Sequence, residues 1–517
     1  MTYLTYSGNR IVGVELPGNS SVIYPPPAIP GFKREQFPDL VKQAFEKPVG
    51  MAPLKSLVDG NSRILIAFDD NCQPFPPTAR PDFRQIVLET LLPLLYSYGV
   101  EKKNIHLMCA VALHRKMKEH ELRYMVGDKV MSEFFPHQLT NFDAEAPDEL
   151  ANLGKTDHGE EVEISRFAVE ADLVIYVDSV QIPLNGGHKS VGVGLSGYKT
   201  IAHHHSPHCT AEVPHVMQPH GSEMHNSIER ISRVVQKHCQ IMVLEFAMNN
   251  ATYPGHSAYL GKPADRCNWL ERTLKSTAPT TFSLLPEPVC RRILRAVPGA
   301  YEPLAITAGS IDGVHPITLQ KLKEQLMVDV PRQFDTLVFG LPDLSPYAID
   351  ARVNPVLVVS DVLGYVFNWF YNKPVVKQGG TVIIVNPVTE VFHPEYHVAY
   401  RLFYDEVLAA TQDPFEMQKR FQEKYAYDPH LRDCYRNRYA HHGFHPFTVW
   451  YWATYPLTKY LSQVIMVGPK DDRSARRLGV SWAPNIREAL AMARKNSGHD
   501  DVAALTIPPF LYANVRS

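Results

Sequence analysis

Short runs of aliphatic and β-branched residues alternate along the chain with segments of helical apolar spacing. Residues 62–68 (SRILIAF) form a continuous apolar run closed by Asp69-Asp70-Asn71, the pattern of a buried strand with a polar carboxyl end. Residues 83–98 follow, with Val87, Leu88, Leu91, Leu92, Leu94 and Leu95 on one broad face; Gly99 is a stop and Pro93 a kink point. Residues 104–111, 172–177 and 240–246 read as further strands, and 116–124 as a short helix. In the second half, 335–341, 381–386 and 463–467 are strand-like, while 396–410 and 485–495 are helical. This alternation predicts an α/β protein of two domains, each a parallel or mixed sheet flanked by helices. The expected divisions are 1–250, an irregular connection or insertion at 251–300, a second α/β domain at 301–484, and a terminal helix and strand at 485–517 returning to the first domain. The connection contains STAPTTFSLLPEPV, poor text for either regular element, with a short helix beginning at 290–295.

Composition narrows the class. The 517 residues are 45% hydrophobic and 21% charged, which suits a core-forming chain of roughly three domains at about 150 residues each, or two large ones. Net charge is −2, without the positive excess of a nucleic-acid-coating protein. Seven cysteines without a CxxC pair argue against a disulfide framework or a thiolate zinc site. No basic, apolar leader opens the sequence and no apolar run reaches eighteen residues, so the expected location is cytoplasmic, without a membrane span. Proline is frequent, 42 residues, which points to rigid irregular connections.

Candidate chemistry lies in three stretches. Residues 185–205 (NGGHKSVGVGLSGYKTIAHHH) hold five glycines whose amides suit an anion such as phosphate, but the text is neither a Walker A motif nor a strand-fed GxGxxG. Within it, Lys189 can hold an anionic or covalently attached group. His205 ends a run of three histidines that cannot all face one pocket, so it is either a metal ligand or a polar surface residue, with His208 and Cys209 nearby. The second stretch, 109–115, puts His114 beyond a strand end, where a group of near-neutral pKa suits proton transfer or a structural hydrogen bond. The third, 69–76 (DDNCQPFP), offers Asp70 to orient a histidine, bind a ribose hydroxyl or cap a turn. The acidic stretch 143–172 reads as a solvated face and Arg473, Arg476 and Arg477 as ordinary surface; the aromatic segment 425–456 reads as a surface subdomain packed through Trp450 and Trp452, or as a ligand-facing surface.

Together these pieces resemble the lactate racemase family of nickel-pincer nucleotide-dependent 2-hydroxyacid racemases and epimerases. DDNCQP at 69–74, ALHRKMKEHEL at 112–122, VEADL at 169–173, GGHKSVGVGLSGYKTIAHHHS at 186–206 and MHNSI at 224–228 are similar, in order, to the family's DHTRP, GFHRPxxxxEL, AEADL, GGRKSVLPGIxSYKTIxxNHS and MHNSI. The resemblance covers roughly residues 60–230 and is weaker beyond, where GGTVIIV at 379–385 and DVAALTIPP at 501–509 remain similar.

The resemblance implies a cofactor site near the interdomain cleft. The nickel-pincer nucleotide, a pyridinium thioamide or thiocarboxylic nucleotide, would be covalently joined to Lys189. Asp70, Gly186, Gly187 and Ser190 would bind it, His205 would ligand nickel, and His114 would be a catalytic acid/base. Cofactor biosynthesis enzymes are the implied protein partners; neither nucleic acid nor membrane is expected.

Three departures stand out. Gln73 replaces the family's arginine, so Gln73 and Arg115 become the substrate-binding candidates, with Arg80 and Arg84 as other replacements. The interval 175–185 (IYVDSVQIPLN) is short and lacks the second catalytic histidine, leaving His188, His203, His315, His393 and His397 as candidates. The family's glutamine–lysine pair is not recognisable near 341–355. The expected function is racemisation or epimerisation of a 2-hydroxyacid, not specific to lactate, with larger polyhydroxy acids reaching the segment 441–452. The alternatives are another nickel-pincer oxidoreduction or isomerisation of a polyhydroxy substrate, or a non-catalytic cofactor-binding protein.

Overall fold

The computed structural model describes residues 2–212, 217–218, 221–506 and 508–516. Six strands make the first sheet, in the spatial order Pro303–Gly309, Ile241–Met248, Leu173–Val180, Ile64–Asp69, Ile105–Ala110, Leu139–Asn141. All neighbours are parallel except Pro303–Gly309, which runs antiparallel to Ile241–Met248. Every residue of the three strands Ile64–Asp69, Leu173–Val180 and Ile241–Met248 is buried, which explains why their sequences are unbroken apolar runs. The helix Phe83–Ser97 starts at Asp82, whose carboxylate accepts from the Arg84 amide, and buries Val87, Leu88, Leu91 and Leu95. The helix expected at 116–124 extends to Glu119–Phe134 with a break at Gly127 (φ +79°), and both pieces bury apolar residues, Leu122, Met125 and Val126 before the break and Val130 after it.

The second sheet is wholly parallel, in the order Ser481–Ala483, Gln463–Val467, Val376–Val385, Phe334–Gly340, Val502–Leu505, Ser21–Ile23. Its membership departs from the expected divisions at both ends. Ser21–Ile23 leaves the N-terminal half to form an edge of this sheet, and Val502–Leu505 pairs here beside Phe334–Gly340, not in the first sheet. Conversely, Pro303–Gly309 and the helix Ile311–Leu326 complete the first layer beyond residue 250. One continuous hydrophobic core runs through both sheets.

The connection 251–300 is also more regular than its text suggests. Trp269–Leu284 and Glu287–Arg295 are helices. The first is nucleated by a capping box: Asn268 Oδ1 accepts from the Glu271 amide at 2.9 Å, and Glu271 accepts from the Asn268 amide at 3.0 Å. It packs on the N-terminal hairpin of Thr2–Ser7 and Arg10–Glu15. Two surface readings are likewise corrected. Asp143, Glu145 and Glu160 are buried, paired with Lys116, His442 and Arg230 respectively. In the aromatic segment, the helix His445–Tyr455 is buried along nearly its whole length, from His445 to Thr454, so it is interior wall. Among the described residues, no helix is long and apolar enough to cross a membrane.

Candidate active site

The strand order of the first sheet fixes where a ligand can sit. From Ile64–Asp69 the chain winds through Ile105–Ala110 to Leu139–Asn141 on one side, then returns to place Leu173–Val180 and Ile241–Met248 on the other. Loops leaving the carboxyl ends of Ile64–Asp69 and Leu173–Val180 therefore diverge, and a crevice opens between them. A cavity of about 430 Å³ occupies this crevice. Its opposite wall comes from the second sheet, through Leu341, Tyr347, Tyr365 and the helix bearing His445, Thr448 and Trp452. Its far end is closed by the N-terminal hairpin and the 253–297 segment.

At the first strand end, Asp70 Oδ2 lies 2.7 Å from His114 Nδ1. Asp70 is buried, which alone would raise its pKa, but the His114 ring and hydrogen bonds from the Cys72 thiol and amide hold it below the usual carboxylate range. An ionised Asp70 accepts, so a proton on His114 Nδ1 points to it and Nε2 is the ring nitrogen left for a ligand. Burial and the Asp70 charge push the Cys72 thiol well up, consistent with its S–H donating to Asp70 Oδ1 at 2.7 Å. Arg84 anchors the loop, donating to the Asp69 and Asp70 carbonyl oxygens at 2.7 Å each while paired with Asp82.

Beyond Leu173–Val180, the pair Gly186-Gly187 turns the chain into the helix His188–Gly194 with φ of +79° and +61°. A Cβ on Gly187 would stand 2.5 Å from the His315 ring, so the close packing demands glycine. The Gly187 amide donates to Glu245 Oε1 at 2.7 Å and is committed there; it does not face the cavity as an anion donor. Lys189 follows on the cavity wall, its Nζ 3.5 Å from Asn185 Oδ1. Burial lowers its pKa, against the pull of Cys72, Asp69 and Asp178, which favours the nucleophilic free amine. Ser190 donates to Asp178. Burial raises Asp178 well above its ordinary value and lifts Asp69 to about 6, although the Ser179 amide donates to Asp69. His205 ends the short helix Tyr198–His204, with its Nδ1 2.6 Å from His204 Nδ1 and its ring stacked on Trp452. Burial holds His205 well below the usual imidazole range, which favours the neutral ring.

Asp70, Gln73, His114, Gly186, Lys189, Ser190 and His205 thus line one cavity, whereas Gly187 and Arg115 do not. Arg115 is buried in a two-point pair with Glu121, at 2.8 and 2.5 Å, and cannot clamp a substrate. Arg80 lies over the Tyr124 ring and Arg84 is committed to Asp82, so neither replaces the missing arginine. Among the described residues of the wall, Lys189 is the only lysine or arginine. None of His188, His203, His315, His393 and His397 lines the cavity; His315, for instance, pairs with Glu245.

The groups that sequence reasoning missed come from the second half. His445 lines the cavity with its ring centroid 5.1 Å from that of His114, its Nδ1 2.8 Å from the Tyr400 hydroxyl, and its pKa held well below normal by burial. Asp361 lies in a π-helical turn, Ser360–Tyr365, and burial lifts its pKa to about 8. Gln73 Oε1, Asp361 Oδ2, Trp369 Nε1 and Trp452 Nε1 are buried on this wall without protein partners. Orphaned polar atoms around a large cavity fit a sizeable polar guest. The donor set also fits a cofactor that brings its own metal donors. Among the described residues, His205 belongs to no three-ligand cluster, and the nearest such group, Asp70, Cys72 and His114, is tied in its own hydrogen bonds.

The comparisons with known proteins meet this geometry. Residues 8–215 match the model of the lactate racemase N-terminal domain. The lactate racemases of Thermoanaerobacterium thermosaccharolyticum and Lactiplantibacillus plantarum are 25% and 27% identical over 196 and 198 residues. The first two fifths of the chain are thus similar to the N-terminal domain of lactate racemases. Each alignment spans 37% of this chain and 43% of the relative, so this chain covers less than half the length of the curated relatives it matches. The fold extends the likeness. The lactate racemase apoprotein of T. thermosaccharolyticum superimposes with a TM-score of 0.63 at 17% identity, over 100% of both chains. A Thermotoga maritima protein structure gives 0.52 at 13%, covering 95% of this chain. The two α/β layers are therefore a fold shared with the lactate racemase apoprotein.

Proposed function

We propose that this chain is a racemase or epimerase that inverts the carbinol carbon of a 2-hydroxyacid, using a nickel-pincer nucleotide held on Lys189. The observation that carries the reading is the convergence of Lys189, His205 and the Asp70–His114 pair in one cavity. Lys189 would hold the cofactor through its desolvated primary amine, and neutral His205 would offer one imidazole to its nickel. When bound, the cofactor supplies hydride acceptance and return at carbon.

The chain's own groups manage the proton. Asp70 fixes the His114 ring so that Nε2 takes the hydroxyl proton and returns it. His445 supplies the second imidazole, on the facing wall, in place of the histidine that the shortened 175–185 interval lacks. The Tyr400 hydroxyl orients it and leaves Nε2 available to the cavity. Gln73 contributes a neutral hydrogen-bonding group where the family uses a charge, so binding of small monocarboxylates is weak.

The test is a resolved 2-hydroxyacid incubated with cofactor-loaded protein in deuterated solvent. Loss of optical rotation with retention of the carbon-bound hydrogen is the expected result. Wash-in of solvent deuterium at that carbon, or no turnover across a panel of acids despite a loaded cofactor, overturns the reading. Substituting His114→Gln or His445→Gln should each lower kcat by about 10²–10⁴-fold, the usual worth of a positioned acid/base, with metal content unchanged.

A further inference from the structure

The cavity is far larger than a three-carbon acid requires, and its two ends differ in kind. One end is the polar rim of the first sheet. The other is built on a separate small core cluster that joins the N-terminal hairpin to the 253–294 segment. Six members of that cluster face the cavity: Tyr6, Ile11, Tyr253, Leu260, Phe282 and Leu294. Even the tyrosines offer little polarity there. The Tyr6 hydroxyl donates to that of Tyr253, which donates on to the Pro508 carbonyl oxygen at 3.2 Å, so both protons are already engaged. His256, at the exposed rim, and Tyr259 are the remaining polar side chains of this arm besides Ser257, whose hydroxyl donates to the Pro254 carbonyl.

Among the described residues, no lysine or arginine lines the arm. The helix Glu287–Arg295 carries Arg291, Arg292 and Arg295 but turns only its apolar residues Ile293 and Leu294 to the cavity. Arg295 donates to the carbonyl oxygens of Asp343, Ala348 and Ala351 instead. A substrate therefore gains little from charge pairing here, and its affinity must come mainly from apolar burial.

Building on the 2-hydroxy-compound reading above, we infer that the substrate carries a bulky apolar substituent, alkyl or aryl, that lies in this arm. This differs from the polyhydroxy acid expected from the sequence, because hydroxyls placed in the arm would be stripped of water without new partners. Ile293, 41% exposed on the cavity wall, marks where the arm meets solvent, so longer chains are accommodated up to that rim.

Calorimetric titration of the cofactor-loaded protein with straight-chain 2-hydroxyacids, from lactate to 2-hydroxyoctanoate, together with 3-phenyllactate and gluconate, tests the inference. Kd should fall about fourfold per buried methylene, phenyllactate should bind far tighter than lactate, and gluconate no tighter than lactate. Leu294→Gln and Leu260→Gln should flatten that slope. Ile293→Gln, on an exposed position that does not threaten folding, should weaken only the longest chains. A flat series, or gluconate as the tightest ligand, overturns the apolar-substituent inference and leaves the racemase reading standing. Failure of loaded protein to bind or turn over any of these acids overturns both.

Discussion

Asp361 shows how the second half of the molecule shapes the site residue by residue. Its carboxyl has a folded pKa near 8 because burial disfavours the charge, so it is neutral where a free aspartate is ionised. Above about pH 4 the unfolded chain releases this proton and the folded chain keeps it, so Asp361 costs stability increasingly from pH 4 to pH 8 and by a constant amount beyond. Asp361→Asn removes that dependence. The Tm difference between variant and parent should therefore widen through that window and then level; a difference independent of pH would contradict the assignment. Gln73 permits a second test at this scale. With Arg80, Arg84 and Arg115 all committed elsewhere, Gln73→Arg should tighten binding of small carboxylates by about tenfold or more, read by titration with lactate. An unchanged Kd would mean that position 73 does not meet the carboxylate. Lys189, His205, His114 and Asp70 were legible in sequence because each sits in a contiguous motif. His445 and Asp361 were not, since only the folding of the second half against the first brings them to the same cavity.

At the scale of single elements, the strand ends and the double glycine do most to build the site. Strands 64–69, 105–110 and 173–180 could be read from their apolar runs, and the polar residues that follow them became the cavity rim. The role of Gly186-Gly187 differs from the phosphate cradle suggested by composition: the pair exists to make a positive-φ turn beneath Glu245 and His315. Gly187→Ala should cost about 2–4 kcal/mol, from left-handed backbone strain and the clash with His315, measured by denaturant unfolding. A neutral effect would show that the turn tolerates a side chain. Sequence left helix His445–Tyr455 open between a surface subdomain and a ligand-facing surface, and its burial beside the cavity was hidden because its aromatic residues have no hydrophilic face to mark a direction. Burial on all sides erases the amphipathic signal that sequence reading depends on.

For the whole molecule, fold class was legible and domain membership was not. Alternating strands and helices announce an α/β architecture, but a three-residue edge strand such as Ser21–Ile23 carries too little pattern to say which sheet it joins. Its placement makes a checkable claim: the Thr506 amide donates to the Ile23 carbonyl oxygen at 3.0 Å, so deleting residues 1–23 should expose Thr506 to rapid hydrogen exchange while the 64–69 strand stays protected. Equal protection at Thr506 would place that strand elsewhere. The two layers matter to function because they close one cavity from both sides, the first bringing Lys189, His205 and His114, the second His445 and Trp452. The most direct measurement on that account is the intact mass of protein produced alongside the cofactor biosynthesis enzymes, followed by peptide mapping. The expected result is a nucleotide-sized adduct on Lys189, accompanied by stoichiometric nickel and absent from Lys189→Arg, which keeps the charge but lacks a compact primary amine that can be acylated. An unmodified Lys189 in protein that turns over a 2-hydroxyacid, or the same adduct on Lys189→Arg, would contradict it.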